Sequence, residues 1–165
     1  MKNYRIELRW AILFSFILMI WMTIENKFLG WHHKDFIGDQ YRLHFFVILP
    51  IIYSIIYYIE IRNKRIKYYD GMITWKEGLI SGAMMSVIIT ILSPLTQFFI
   101  YHYIAPDYFQ NMIYYQTHKP HPMDQESAEF VFNMKSFMIQ AVSFNLSYGI
   151  GISAIVALFA RRQID

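Results

Sequence analysis

The chain has 165 residues, of which 56% are hydrophobic, 19% aromatic and only 16% charged, with a formal net charge of +3. An average soluble domain carries about 25% charged and about 45–50% apolar residues, so this composition excludes a disordered chain. The absence of Cys excludes a disulfide scaffold, a thiolate zinc site and a cysteine nucleophile. Mean hydropathy is only +0.27. Thirteen Tyr and four Trp lower it, and both residue types suit membrane interfaces.

Four apolar runs organise the chain: Trp10–Ile24, Leu43–Ile59, Leu79–Ile104 and Phe137–Ala160. None contains Asp, Glu, Lys or Arg. A helix needs about 20 apolar residues to cross the hydrocarbon core. Runs three and four reach that length unaided. Runs one and two borrow flanking residues, with Arg9 and Arg62 reaching back to the headgroups. A soluble bundle would place polar residues every third or fourth position, and runs two to four do not. The expectation is an all-α, polytopic membrane protein with four transmembrane helices in two hairpins. It forms a single domain over 1–165, with spans near 8–28, 43–61, 78–104 and 136–160.

Run one has the basic start of a signal peptide but no A-x-A-like cleavage site, and reads as a retained anchor. Glu25 follows it directly. A short span needs that length, so Glu25 sits near the edge of the hydrocarbon core, where an acid is a functional candidate. Its available partners are His44, His102 and Gln97; the plainer reading is that it reaches the headgroups. Run two contains Pro50 and ends in the basic stretch Arg62–Lys67.

Run three carries Pro94, which removes one backbone donor and predicts a kink. The freed carbonyl needs a neighbouring donor, and Thr90, Ser93, Thr96 and Gln97 are close in sequence. Small residues recur every fourth position at Gly78, Gly82 and Ser86. They recur again at Asn145, Gly149, Ser153 and Ala157, and at Ser143, Ser147 and Gly151. Such stripes let helix backbones approach closely, either within the chain or in a homodimer through Gly78 and Gly82; contact within the chain is the simpler reading.

The longest connection is the outer loop, 105–135. Ala105-Pro106-Asp107 is a helix-start pattern. Tyr108, Phe109, Met112, Ile113 and Tyr115 then suggest a short helix lying in the interface on its aromatic face. After a break at His118–Pro122, Asp124 is placed to cap a second helix. That helix either runs unbroken into run four or bends near 133–136.

If the N-terminus is cytoplasmic, Lys2, Arg5, Arg9, Arg62, Lys64, Arg65, Lys67, Lys76, Arg161 and Arg162 lie inside. Lys27, Lys34, Arg42, Lys119 and Lys135 lie outside. The asymmetry follows the positive-inside rule and puts both termini in the cytoplasm. The basic residues then meet lipid headgroups, and no nucleic acid is implied.

All six His fall on the outer side: His32, His33, His44, His102, His118 and His121. With nearby acids they raise a metal or pH-sensing reading. The spacing gives no H-x-x-x-H pattern. No metal site is assigned, and His118 and His121 are its weak candidates. There is no nucleophile elbow, P-loop or dinucleotide fingerprint, so no catalytic residue and no cofactor is expected.

Several stretches read together as a signature: TWKEGLISG at Thr74–Gly82, ILSPLTQ at Ile91–Gln97, APDYFQNMI at Ala105–Ile113, FNMKSFMIQ at Phe132–Gln140 and SAIVALFARR at Ser153–Arg162. With the N-terminal YRIELRWAILF and WMTIENKFLG, they resemble a bacterial membrane-protein family known as domain of unknown function 4199. The resemblance implies four spanning helices and supplies no catalytic residue. Where family members have a short Gly-containing turn, this chain has THKPHP at Thr117–Pro122.

Three functional expectations follow. The first is a small accessory or structural subunit acting through helix–helix contacts with another membrane protein or as a homodimer. The second is a small transporter or channel, with Glu25, Gln97 and Asn145 along a polar path at the Pro94 kink. The third is an outer-face metal or pH sensor. The expected location is the bacterial inner membrane, with the lipid bilayer as the first partner.

Overall fold

The structure is a computed structural model that describes residues 4–29, 37 and 43–162, the side chain at 45 excepted. The described residues form six α-helices and no strand: α1 (Arg5–Thr23), α2 (Leu49–Tyr68), α3 (Trp75–Phe99), α4 (Tyr108–His118), α5 (Gln125–Val131) and α6 (Met134–Ala160). Three of the long helices carry a wider π-helical turn at one end: Ile24–Phe28 after α1, His44–Ile48 before α2 and Ile100–Ile104 after α3. With these turns, four helices are long and apolar enough to span a membrane: Arg5–Phe28, Phe46–Tyr68, Trp75–Ile104 and Met134–Ala160. They extend beyond the expected bounds mainly at polar flanks that pack inside the protein, as Glu7, Lys64 and Arg65 do.

Polarity is distributed as in a bilayer protein. Ile20, Ile91 and Phe159 face outward at 60%, 72% and 75% exposure, while Glu7, Glu25 and Glu60 are at most 1% exposed. Water would reverse that pattern, since outward apolar and inward ionisable groups both suit hydrocarbon surroundings. The chain is a multi-pass membrane protein.

Contacts give the helices alternating directions. The start of α1, the end of α2, the start of α3 and the end of α6 meet through Glu7, Lys64, Ser81 and the Ala160 carbonyl. This is the terminal end of the bundle; the other is the loop end. At the terminal end, Asp70 and Gly71 adopt positive φ of 49° and 87°, a geometry suited to Asp and Gly. The next helix opens on a capping box. Glu77 N–H donates to Thr74 Oγ1 at 3.2 Å, and Thr74 N–H donates to Glu77 Oε2 at 2.9 Å. Ile73 then pairs with Arg162 in a single antiparallel bridge.

The most extensive helix pair is α3 with α6. A Cβ on Gly78 would stand 3.1 Å from Ala157 Cβ, and one on Gly82 would overlap the Ser153 side chain. A Cβ on Gly149 would press on Ser86 and Tyr57. This seam lies inside the chain. The Ser143, Ser147 and Gly151 stripe is not a seam of this kind: all three residues are exposed, and a Cβ on Gly151 would meet nothing within 4 Å.

The helix α3 continues through Pro94. The missing Pro94 donor would have served the Thr90 carbonyl, and Ser93 Oγ donates to it instead at 2.9 Å. Pro50 follows the π-helical turn His44–Ile48 directly, so its missing N–H falls inside a continuous helical segment, beside that wider turn.

The connection from 105 to 134 corrects one expectation. Instead of presenting its aromatic face to the interface, α4 buries Tyr108 and Met112 against Ala105, Phe132, Phe137 and Ile37. Apolar area covered by the chain's own helix ends is not available to lipid. Asp124 caps α5 by accepting from Ser127 N–H at 2.8 Å. The chain then breaks at Phe132, and Asn133 caps α6 by accepting from Ser136 N–H at 3.0 Å.

Candidate functional site

A cavity of about 530 Å³ opens among α1, α2, α3 and α6 at the loop end, with α4 and α5 contributing rim residues. Phe14, Leu18, Met22, Leu49 and Ile89 make its apolar wall, and Tyr108, Phe132 and Phe137 stand toward the loop. Its polar groups include Ser93, Thr96, Gln97, Gln140 and Asn145, with His44 beside the first helix. A volume of this size, mostly apolar with a few convergent polar groups, fits small-molecule sites.

Local sequence explains the polar positions. Ser93 and Thr96 flank Pro94, and each hydroxyl back-bonds to its own helix: Ser93 to Thr90 O, and Thr96 to Leu92 O at 3.2 Å. Their donors are therefore occupied. The Gln97 Oε1 is different, because it is buried with no protein partner. A buried acceptor without a donor is costly, and a ligand bringing an N–H or O–H would satisfy it. Asn145 is buried on α6, and its Oδ1 accepts from Tyr53 O–H. The Tyr53 ring packs edge-on against Phe14, Phe144 and Tyr148, which holds the hydroxyl toward Asn145. Gln97 and Asn145 thus line one cavity.

Glu25 lies behind the cavity wall and is fully buried. Its Oε1 is 2.7 Å from His44 Nδ1 and also accepts from Trp21 Nε1–H. Both members of the pair sit in π-helical turns. Wider turns re-aim side chains and frequently mark functional sites. Next to Glu25, Asn26 Nδ2 donates to the Ile104 carbonyl, tying the π turn of α1 to that of α3. Glu25 therefore meets protein and does not extend to a headgroup. Of its expected partners, His44 is in contact with it, and His102 stacks on Phe98 at 5.2 Å.

The candidate metal ligands are placed apart from this cavity. The His118 ring stacks on Tyr114 at 4.2 Å, and its Nδ1 lies 2.9 Å from the Tyr114 carbonyl. His121 is exposed. Among the described residues, no three of His, Asp and Glu are grouped to hold a metal ion. His32, His33, Asp35 and Asp39 fall outside the described residues.

At the terminal end the structure assembles residues that sequence reasoning did not single out. Lys64 Nζ donates to Glu7 Oε1 at 2.6 Å, and Ser81 Oγ bridges Glu7 and Glu60. Arg65 Nη1 donates to the Ala160 carbonyl at 2.7 Å. One signal was present. Glu60 and Lys64 share a helix face at i, i+4, and Glu60 falls within the expected second span, where an acid is a functional candidate.

Neither a curated protein nor a solved structure matches the chain. The family described as protein of unknown function, DUF4199, matches residues 9–162. That match covers nearly the whole chain, from the first apolar run to the Arg pair after the last, and the chain belongs to this family.

Proposed function

We propose that this protein is a small-molecule carrier of the bacterial inner membrane, with its ligand held in the loop-end cavity. The observation that carries the reading is the buried, unpartnered Gln97 Oε1 in the wall of a cavity of about 530 Å³. The ligand class follows from the lining. It is compact and largely apolar, to match the Phe, Leu and Ile walls. It brings at least one hydrogen-bond donor for Gln97 and contacts Asn145. His44, 2.7 Å from the buried Glu25 behind the wall, forms a polar edge of the path. The excess of Lys and Arg in the segments flanking the terminal end supports cytoplasmic termini, which opens the cavity toward the opposite face.

An accessory subunit acting through small-residue stripes is the competing reading. Gly78, Gly82, Ser86, Gly149 and Ser153 are taken up between α3 and α6 of the same chain, which leaves the exposed Ser143, Ser147 and Gly151 stripe as the small-residue surface open to a partner. Use of the crowded seam inside the chain favours the cavity.

Native mass spectrometry on protein extracted gently from its own membrane separates the two. The carrier reading expects a small bound molecule on the wild type and its loss in Gln97→Leu, with the variant still unfolding cooperatively. Bare protein in both samples removes the reading. A stable complex with another membrane protein replaces it with the accessory one.

A further inference from the structure

Two carboxyl groups, an ammonium and a hydroxyl meet at the terminal end, away from the cavity. Glu7 and Glu60 are 1% and 0% exposed. Ser81 Oγ lies 3.0 Å from Glu7 Oε1 and 2.7 Å from Glu60 Oε1. The remaining oxygens, Glu7 Oε2 and Glu60 Oε2, are buried with no protein partner.

The hydrogens in this cluster are one short. A serine hydroxyl carries one hydrogen, and an ionised carboxylate carries none. With both acids ionised, Ser81 donates to one oxygen and faces the other lone pair to lone pair. The Lys64 ammonium is in contact with Glu7 and the Arg65 guanidinium with the Ala160 carbonyl, so an ionised Glu60 would have no cation in contact, and an unpaired buried charge is strongly disfavoured. A single proton removes both defects.

We propose that the Glu7–Ser81–Glu60 cluster is a proton-binding site, with the proton carried on Glu60. Glu60 O–H then donates to Ser81 Oγ, Ser81 O–H donates to Glu7, and Glu7 stays ionised against Lys64. Lys64 at 2.6 Å marks Glu7 as the ionised member. Glu7, Glu60 and Lys64 are then neutral as a set, and each contact among them and Ser81 becomes a proper hydrogen bond. A metal cation fits less well, since it would share the Glu7 carboxylate with the Lys64 ammonium.

The surroundings are consistent with one bound proton. On α2, Tyr57 donates or accepts with Ser86 at 2.9 Å and Arg65 is engaged by α6. The rings of Tyr4 and Tyr68 lie 5.8 Å and 5.0 Å from Lys64 Nζ, adding cation–π support to the ammonium. Tyr69 and Glu77 interact electrostatically with each other at the edge of the cluster. From α6 comes the Ala160 carbonyl, while Arg161 and Arg162 are exposed.

The test is infrared spectroscopy of the full chain in lipid nanodiscs at neutral pH, in H₂O and D₂O. The wild type is expected to show a protonated-carboxyl C=O stretch that shifts on deuteration. Glu60→Gln, whose amide N–H replaces the donor to Ser81, is expected to fold and to lose that component. Ser81→Ala is expected to keep the band and move its frequency, and Asp124→Asn to leave it unchanged. A wild type without the band, or a band indifferent to both Glu60→Gln and Ser81→Ala, overturns the proposal. So does a rise in thermal stability in sodium chloride over choline chloride that disappears in Glu60→Gln, which would assign the site to a sodium ion.

Discussion

The two ends of the bundle use similar groups in different packing. At the terminal end Glu7 pairs with Lys64, and helices close tightly through Gly78, Gly82 and Ser153. At the loop end Glu25 pairs with His44, but the space beside the pair is an open cavity of about 530 Å³. All three π-helical turns also fall at the loop end. Small residues bring backbones together at one end, and wider turns with bulky aromatics hold them apart at the other. A buried ion pair is thus no indicator of function by itself. Both ends hold buried acceptors without a protein donor, and what distinguishes the loop end is the cavity beside its acceptor, Gln97 Oε1.

The sharpest way to break the comparison is to remove the nitrogen partner of the buried carboxyl group at each end. Lys64→Met leaves Glu7 buried without its ammonium and is expected to cost about 3–5 kcal/mol. Adding Glu7→Gln is expected to restore most of that, measured by reversible unfolding in detergent. His44→Ala is expected to cost less, about 1.5–3 kcal/mol for a hydrogen bond to a charged group, because Trp21 still donates to Glu25. Equal losses at both ends would erase the distinction between a closed and an open site.

The packing half of the comparison rests on glycine. Gly82→Ala forces a Cβ into the Ser153 side chain and is expected to cost about 1–3 kcal/mol, as overpacking does. Ser153→Gly on the same background is expected to recover it. Gly151→Ala, with nothing within 4 Å of its Cβ, is expected to stabilise the helix by about 0.5–1 kcal/mol, the opposite sign.

The smallest expected effect lies in the loop that covers the cavity. The Ser127 backbone N–H, donating to Asp124, holds that carboxyl below its ordinary value of 3.8. A depressed acid stabilises the fold above its unfolded value, and the contribution is lost as pH falls through the lower folded one. Protection of the α5 amides, taken relative to their intrinsic exchange rates, is therefore expected to fall only in acid. Asp124→Asn, still able to cap, is expected to remove that acid dependence.

Much of the fold was legible in hydropathy. Four uncharged runs locate the four long helices, because a bilayer demands continuous apolar length and leaves little freedom in where a span lies. Pro94 pointed to a freed carbonyl that a nearby side chain must satisfy, and Asp124 pointed to a cap, since both are local backbone problems. The charged clusters were harder to see. Glu7 and Lys64 are separated by 57 positions, and each reads in sequence as an ordinary flank of a span. Only the i, i+4 spacing of Glu60 and Lys64 hinted that this flank points inward. The aromatic face of α4 was misread for a related reason. An amphipathic helix shows that it has an apolar face, and its neighbours decide whether lipid or protein covers it.

The sequence by itself determined the solvent, the number of spans and the helix-end chemistry, because these depend on residues within a turn or two of one another. The tertiary structure decided which glycines are crowded, that Glu25 meets His44, and that Gln97 and Asn145 border a common cavity. It also decided that Glu7 and Glu60 share Ser81. Those relations join residues on different helices, and their energies depend on distance and burial, which no single stretch of chain encodes.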